Sequence, residues 1–540
     1  MSLVFMSAVA APNQAAPDVI IFDGKIFTSD SAHSYVQALA IRGERITATG
    51  DSAKIKSFAG PHTKQIDVGG RTVIPGINDA HNHVEVTPGN TVELQFESLD
   101  PTWTEVRSAL AAPAVTKAPM GAFVRGYVGP SVWKDLDVTR DVLDKIAPDH
   151  PVILFVTEHA SMLNSAALDR LGIRQQQANP LGGRHERSAD GRLSGVLREY
   201  ASMQAVRKLA DLTSDADAVA ELRKTLSAAV AWGITSIQDM SAAIAPNRCV
   251  ALLEKVPTPI RVRVMRMPGT TPAGRDVQEG RPEPRSSSAL ITVSGTKWML
   301  DGTPLERTFD ARDAGLQRSG IDFEAMFSDL ALTFPSAEIE KILRESLQDN
   351  DQLLVHVFGY NSAAAILNSM QATGGKRAWA GRRVRFEHGD GLFPDLIPLV
   401  REMKVVVVQN PSHLNVASIF PGLFLVHAQP LRSLLAADIP VALGSDGPTN
   451  PYLNIMFACL HANRPSEAIS REQAVVAYTQ TSAYAELAEK DKGTLEAGKL
   501  ADLAVLSQDI FTVPLGELPT TQSVLTMVGG KIVYDVGVVH

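Results

Sequence analysis

Short β-branched runs cut by turn residues open the chain. Val19-Ile20-Ile21-Phe22, Lys25-Ile26-Phe27-Thr28, Ala38-Leu39-Ala40-Ile41 and Arg45-Ile46-Thr47-Ala48-Thr49 are divided by Asp23-Gly24 and Arg42-Gly43. Asp-Gly between apolar runs predicts a tight hairpin. The same texture returns at 500–506 and at 524–534, the latter around Gly529-Gly530. Pairing the two ends, 18–73 with 494–540, into one small β-sandwich is the simplest arrangement.

Between the ends, over 74–493, apolar strand runs alternate with helical stretches such as 337–348 and 395–403. The runs are the segment leading to His81, then 233–240, 260–265, 291–299, 352–357, 383–388, 405–409 and 440–446. Eight such repeats predict an α/β fold closed as a (β/α)8 TIM barrel, whose chemistry sits at the C-terminal strand ends. An open, doubly wound sheet is the rival, but it would spread those ends along a line. The stretch 85–230 is too long for one connection and carries strand runs of its own at 123–127 and 152–156. It reads as an insertion after the first barrel strand, over the barrel mouth.

The candidate chemistry starts at His81-Asn82-His83, at the end of the first barrel run. Residues two apart in a strand share a face, so both imidazoles aim at one point. Two imidazoles converging with no carboxylate between them suit a divalent first-row metal, zinc above all. Lys297, His356, His388 and Asp446 each stand at the end of a further predicted strand. Plainer readings exist: a hydrogen-bonded histidine, a lysine snorkelling to solvent, an aspartate capping a helix before Pro448. They would all have to hold together, and each leaves a polar group buried at some cost. His159 also follows a strand run, which places it at the pocket rim as a donor to a substrate carbonyl oxygen. Its alternative is a capping or core histidine.

Composition narrows the partners. At 540 residues the chain is long enough for one large domain and an accessory one. A net charge of −8 offers no basic footprint and argues against nucleic acid. The expected partner is a small-molecule substrate, with homo-oligomerisation left open. Cys249 and Cys459 form no CxxC pattern, so thiolate metal sites and disulfides are not expected. No run is long and apolar enough to span a membrane. Residues 1–17 read as a trimmed export signal (Leu3-Val4-Phe5-Met6, then Ala8 and Ala10 in A-x-A spacing) or as a disordered tail. The first places the protein in the periplasm or outside the cell, the second in the cytoplasm.

The same residues resemble the amidohydrolase superfamily of metal-dependent hydrolases. The similarity is greatest to the branch holding N-substituted formamide deformylase and the YtcJ-like and exoenzyme-regulator-like proteins. It rests on 75–83, on Glu158-His159-Ala160 with 164–168, and on Lys297 with Asp301-Gly302. His356-Val357-Phe358-Gly359, Arg385-Phe386-Glu387-His388 and Gly444-Ser445-Asp446-Gly447-Pro448 complete it. The resemblance implies that His81, His83 and Asp446 hold one metal and His356 and His388 a second, bridged by a carboxylated Lys297. A metal-bound hydroxide would attack a substrate carbonyl while Asp446 accepts the proton and returns it to the leaving nitrogen. His159, Asn164, Asp301 and His413 fall on the substrate side, with His413 the next candidate base. The stretch 303–310 departs from the branch pattern. Three functions follow: hydrolysis of a non-peptide C–N bond (N-acyl or N-formyl amide), hydrolysis of another bond (lactone, ester, cyclic amide, carbamate) or deamination on the same metals, or a non-enzymatic regulator retaining the barrel. Six intact ligand candidates speak against the third.

Overall fold

A computed structural model describes residues 16–540 apart from 134, 158, 303–331, 350, 416–428 and 463. The expected signal at 1–17 therefore lies almost wholly outside the described residues, as does the divergent stretch 303–310. Eight strands form one sheet in sequence order: Ile77–Asn82, Ile234–Asp239, Arg261–Arg266, Ile291–Met299, Leu353–Val357, Arg385–His388, Val406–Gln409 and Val441–Leu443. Every hydrogen-bonded neighbour is parallel. All eight runs read from the apolar pattern are present. The last strand returns to the first: Asp446 N donates to His81 O at 3.0 Å, and Ser445 N to Asp79 Oδ1 at 2.8 Å. Gly444 permits this approach, because a Cβ there would lie 2.5 Å from the His81 backbone nitrogen.

Helices cover the outside of the sheet. In Ser336–Gln348 the buried residues are Ile339, Ile342 and Leu343, the spacing of a single apolar stripe. Asp215–Ala231 is capped by Ser214, whose side chain accepts from Asp217 N. It buries Ala218, Leu222, Leu226 and Ala229 in the same core as Ile234 and Ile237 of the second barrel strand. The closing part of the 85–230 stretch thus belongs to the barrel wall.

Two further sheets are built from the chain ends, which pair with one another in the second. One has four strands in the order Arg45–Gly50, Ala38–Arg42, Val19–Phe22, Lys64–Asp67. The other has six, and in it Leu503–Leu506 pairs antiparallel with Thr72–Pro75. Gly529 and Gly530, at φ +54° and +74°, make the expected hairpin turn. Asp23-Gly24 does not. Val19–Phe22 pairs within the first sheet and Lys25–Phe27 within the second, so the chain turns a corner there with Asp23 at φ +56°. The physical reason is the core: Ile21 and Ile26 are both buried between the sheets, in one cluster with Leu503 and Leu525.

The insertion carries its own six-stranded sheet, which includes Val124–Tyr127, Val152–Thr157, Ala160–Leu163 and Leu193–Glu199. A separate cluster containing Val124, Leu154, Met162 and Val196 holds it together. No helix of the described residues is long and apolar enough to cross a membrane.

Candidate metal centre

Local backbone geometry aims the side chains at the mouth. Lys297 lies in the fourth barrel strand, just after a register shift at Gly295, which sits at φ +88°. Such a bulge re-aims the residues that follow it. His388 ends its strand at φ +74°, and Asp446 follows its own at φ +39°. Positive φ is unfavourable for both residue types, and strain of this kind collects at functional sites. Strict alternation would turn His388 away from Glu387; the left-handed residue brings it into the mouth beside His356, ring centroids 4.5 Å apart.

The donor atoms are spaced for a metal. His81 Nε2 lies 3.3 Å from His83 Nε2 and 3.2 Å from Lys297 Nζ. Asp446 Oδ1 lies 3.3 Å from His83 Nε2 and 3.6 Å from His81 Nε2. Ligands about 2.0–2.1 Å from a tetrahedral ion stand about 3.3–3.4 Å apart, so this set fits one. A second set joins His388, His413 and Asp446, with ligand atoms within 4.8 Å of one another. Among the described residues His356 Nε2 and His388 Nδ1 are buried with no hydrogen-bond partner, although buried nitrogens ordinarily find one. Lone pairs left open in this way are what a cation would satisfy.

Carboxylates behind the histidines fix their orientation. His81 Nδ1 donates to Glu387 Oε2 at 2.7 Å, and His356 Nδ1 donates to Asp301 Oδ1 at 2.8 Å. Each bond leaves Nε2 with its lone pair toward the pocket, the usual outer arrangement of a metal-ligating histidine. Burial, with Lys297 beside it, lowers the His81 pKa to about 4, and burial likewise lowers His356 and His388 well below the ordinary value. The three rings are therefore neutral near pH 7, as metal ligation requires. Burial would raise Asp446, but His81, His83 and His388 outweigh it and hold the carboxyl well below its usual range. Burial also opposes Glu387, whose carboxyl is nevertheless held low, chiefly by Arg385 and His81.

His159 sits in the turn between two insertion strands, not at a barrel strand end, yet its ring centroid lies 4.7 Å from that of His356. Its Nδ1 is 2.8 Å from Glu199 Oε2, and Glu199 N donates to His159 O at 2.6 Å. Glu199 thus grips both the ring and the backbone of His159. It sits at φ +50° with Gly302 packed so closely that a Cβ there would lie 2.2 Å from its Oε1. His413, on the 3-10 turn Pro411–Asn415, stacks beside His388 and places Nε2 3.0 Å from the Asp446 carbonyl oxygen.

Two expected substrate residues are corrected. Asn164 is fully buried; its Oδ1 accepts from Val152 N and Ala167 N, and its Nδ2 donates to His150 O. All of that serves a helix cap and a strand of the insertion. Asp301 is also fully buried; besides His356 it accepts from Phe358 N and Gly359 N at 2.9 Å. It orients a histidine instead of meeting a substrate. Glu199 and the roles of Glu387 and Arg385 escaped the sequence reading. Arg-x-Glu-His on one strand carried a signal for Glu387 and Arg385, since alternation sends both to the barrel interior.

With the barrel and its mouth in view, the chain belongs to the amidohydrolase family, whose sequence profile matches residues 64–534. It is thereby one of the metal-dependent hydrolases of that superfamily. It is similar to the N-substituted formamide deformylase of Arthrobacter pascens, 26% identical over 96% of this chain and 98% of that one. It is also similar to the protein YtcJ of Bacillus subtilis (strain 168), 24% identical over 95% of this chain and 98% of that one. In fold it matches the crystal structure of an uncharacterized metal-dependent hydrolase from Pyrococcus furiosus. The TM-score is 0.64, with 22% identity over 92% of this chain and 100% of the other.

Proposed function

We propose that the protein hydrolyses a non-peptide C–N bond, an N-acyl or N-formyl amide of a small molecule, at a centre of one or two divalent ions, zinc foremost. The observation that carries the reading is the convergence of His81, His83, Lys297 and Asp446, with neighbouring ligand atoms 3.2–3.6 Å apart. Similarity along nearly the whole chain to a protein described as a formamide deformylase supports an amide as the substrate. His81, His83 and Asp446 would hold one ion, and His356 and His388 a second. Lys297 suits the place between them as a carbamate, since an ammonium would repel cations whereas a carbamate offers two anionic oxygens. When bound, the metal supplies Lewis acidity for the carbonyl and acidifies water.

The protein's own groups do the rest. Asp446, anionic and one-fifth exposed, accepts the proton of the attacking water and returns it to the leaving nitrogen. His159 donates Nε2–H to the substrate oxygen as charge develops there; holding Glu199 with Nδ1 at the same time takes the doubly protonated ring. The insertion shields the mouth from bulk water. The test is metal analysis of the purified chain, joined to turnover on matched N-formyl amides, N-acyl amides, esters and lactones with and without a chelator. One or two zinc-like ions per chain and amide turnover lost on chelation is the expected result. Turnover of esters alone would reassign the bond, and a metal-free chain indifferent to chelators would overturn the centre.

A further inference from the structure

Lys297 points into the mouth, so its neighbours Thr296 and Trp298 point outward, toward the helix layer. Against that outer face, under the helix Ser336–Gln348, lies a cavity of about 300 Å³ that no step of the hydrolysis uses. Three arginines line it: Arg266, Arg275 and Arg281. Arg275 is paired with Glu338 and with Glu345, and Arg281 with Asp349 at 2.9 Å. Arg266 is different. It is 2% exposed and its Nη2 donates to Thr296 Oγ1; among the described residues its Nε and Nη1 have no acceptor and no carboxylate forms an ion pair with it. Arg275 Nη2 and Ser346 Oγ, bordering the same cavity, are likewise without partners among the described residues. Asp351 offsets the Arg266 charge through Thr296 Oγ1, which also donates to Asp351 Oδ2, but it meets none of these donors, and a cluster of buried unmet donors is costly.

We propose that this cavity is a second binding site, for a small organic monocarboxylate whose head group pairs with Arg266. The unmet groups select an acceptor: Arg266 Nε and Nη1 and Arg275 Nη2 are all donors, and a carboxylate head offers only acceptors. Glu345, Asp349 and Asp351 line the same space and balance the three arginines, so a dianion would be repelled. The planar fork of arginine matches a carboxylate. The body of the ligand is a compact hydrocarbon that fits against Trp298, Val277, Ile342 and Leu353, which line the cavity alongside polar Gln278, Gln348 and Gln352. Lying behind the strand that carries Lys297, the site is chemically separate from the metal centre and does not depend on the function proposed above.

The test uses the full, metal-loaded chain, with binding read by calorimetry and by tryptophan fluorescence. The probes are cyclohexanecarboxylate, its neutral carboxamide and inorganic phosphate, at matched ionic strength. The carboxylate should bind saturably at one extra site per chain, with weaker response to the amide and to phosphate. Arg266→Gln should weaken carboxylate binding about ten- to a hundredfold, the worth of a charge-assisted hydrogen bond. Ser346→Leu, which narrows the cavity from the helix side, should weaken it as well, and Trp298→Phe should remove most of the fluorescence change. Equal carboxylate binding by wild type, Arg266→Gln and Ser346→Leu, a preference for phosphate or the amide, or no saturable binding by wild type would each overturn the proposal.

Discussion

Replacing Glu387 by Gln tests the claim that the metal centre depends on a carboxylate touching no substrate. In the native site Oε2 accepts from His81 Nδ1 at 2.7 Å and from Arg385 Nη2 at 3.1 Å, and Oε1 accepts from Arg385 Nε at 2.8 Å. All three side chains are fully buried. The amide of Gln has one acceptor oxygen, so its NH2 must face either His81 Nδ1–H or the guanidinium. Losing such an outer carboxylate lowers metal affinity about 10–100-fold, or about 1.4–2.8 kcal/mol. Stripping a buried arginine of its counter-ion costs about 3–5 kcal/mol of folding stability. Arg385 keeps its bonds to the Ala80 carbonyl and to Gln238, so the lower end applies. Competition against a chromophoric zinc chelator measures the first quantity, and urea unfolding of the metal-stripped chain the second. A folded Glu387→Gln protein holding zinc as tightly as wild type would refute the orienting role.

Three further outcomes are expected. Asp446→Asn should lower kcat by ~10² or more with the fold intact, read by steady-state kinetics beside a melting curve; wild-type turnover would move the base to His413. Lys297→Ala should lose metal and activity together, and added short carboxylic acids should restore part of both; full metal content by elemental analysis would make the residue a simple pocket lysine. His159→Ala should leave metal content intact and lower kcat/KM by ~10–10³, with Glu199→Ala following in the same direction but less far; unaltered kinetics in both would return the pair to a structural role.

Periodicity and local chemistry determined much of this protein. Eight apolar runs are visible because a parallel barrel buries both faces of each strand, so the strands stand out as β-branched blocks. The metal candidates are visible because each lies at the end of such a block, and a barrel brings those ends together. What was not legible depends on pairs distant in sequence. Asp79 and Ser445, 366 residues apart, join the first strand to the last; Glu199 reaches His159 from 40 residues away. Nothing local distinguishes Asp23-Gly24 from a hairpin, and only the competition of two sheets for Ile21 and Ile26 opens it into a corner. Asn164 and Asp301 look like substrate residues in a motif, yet burial commits every polar atom they have to the protein. A sequence states which groups a chain possesses and with what period, whereas their free valences are settled only once tertiary packing has removed water and chosen their partners.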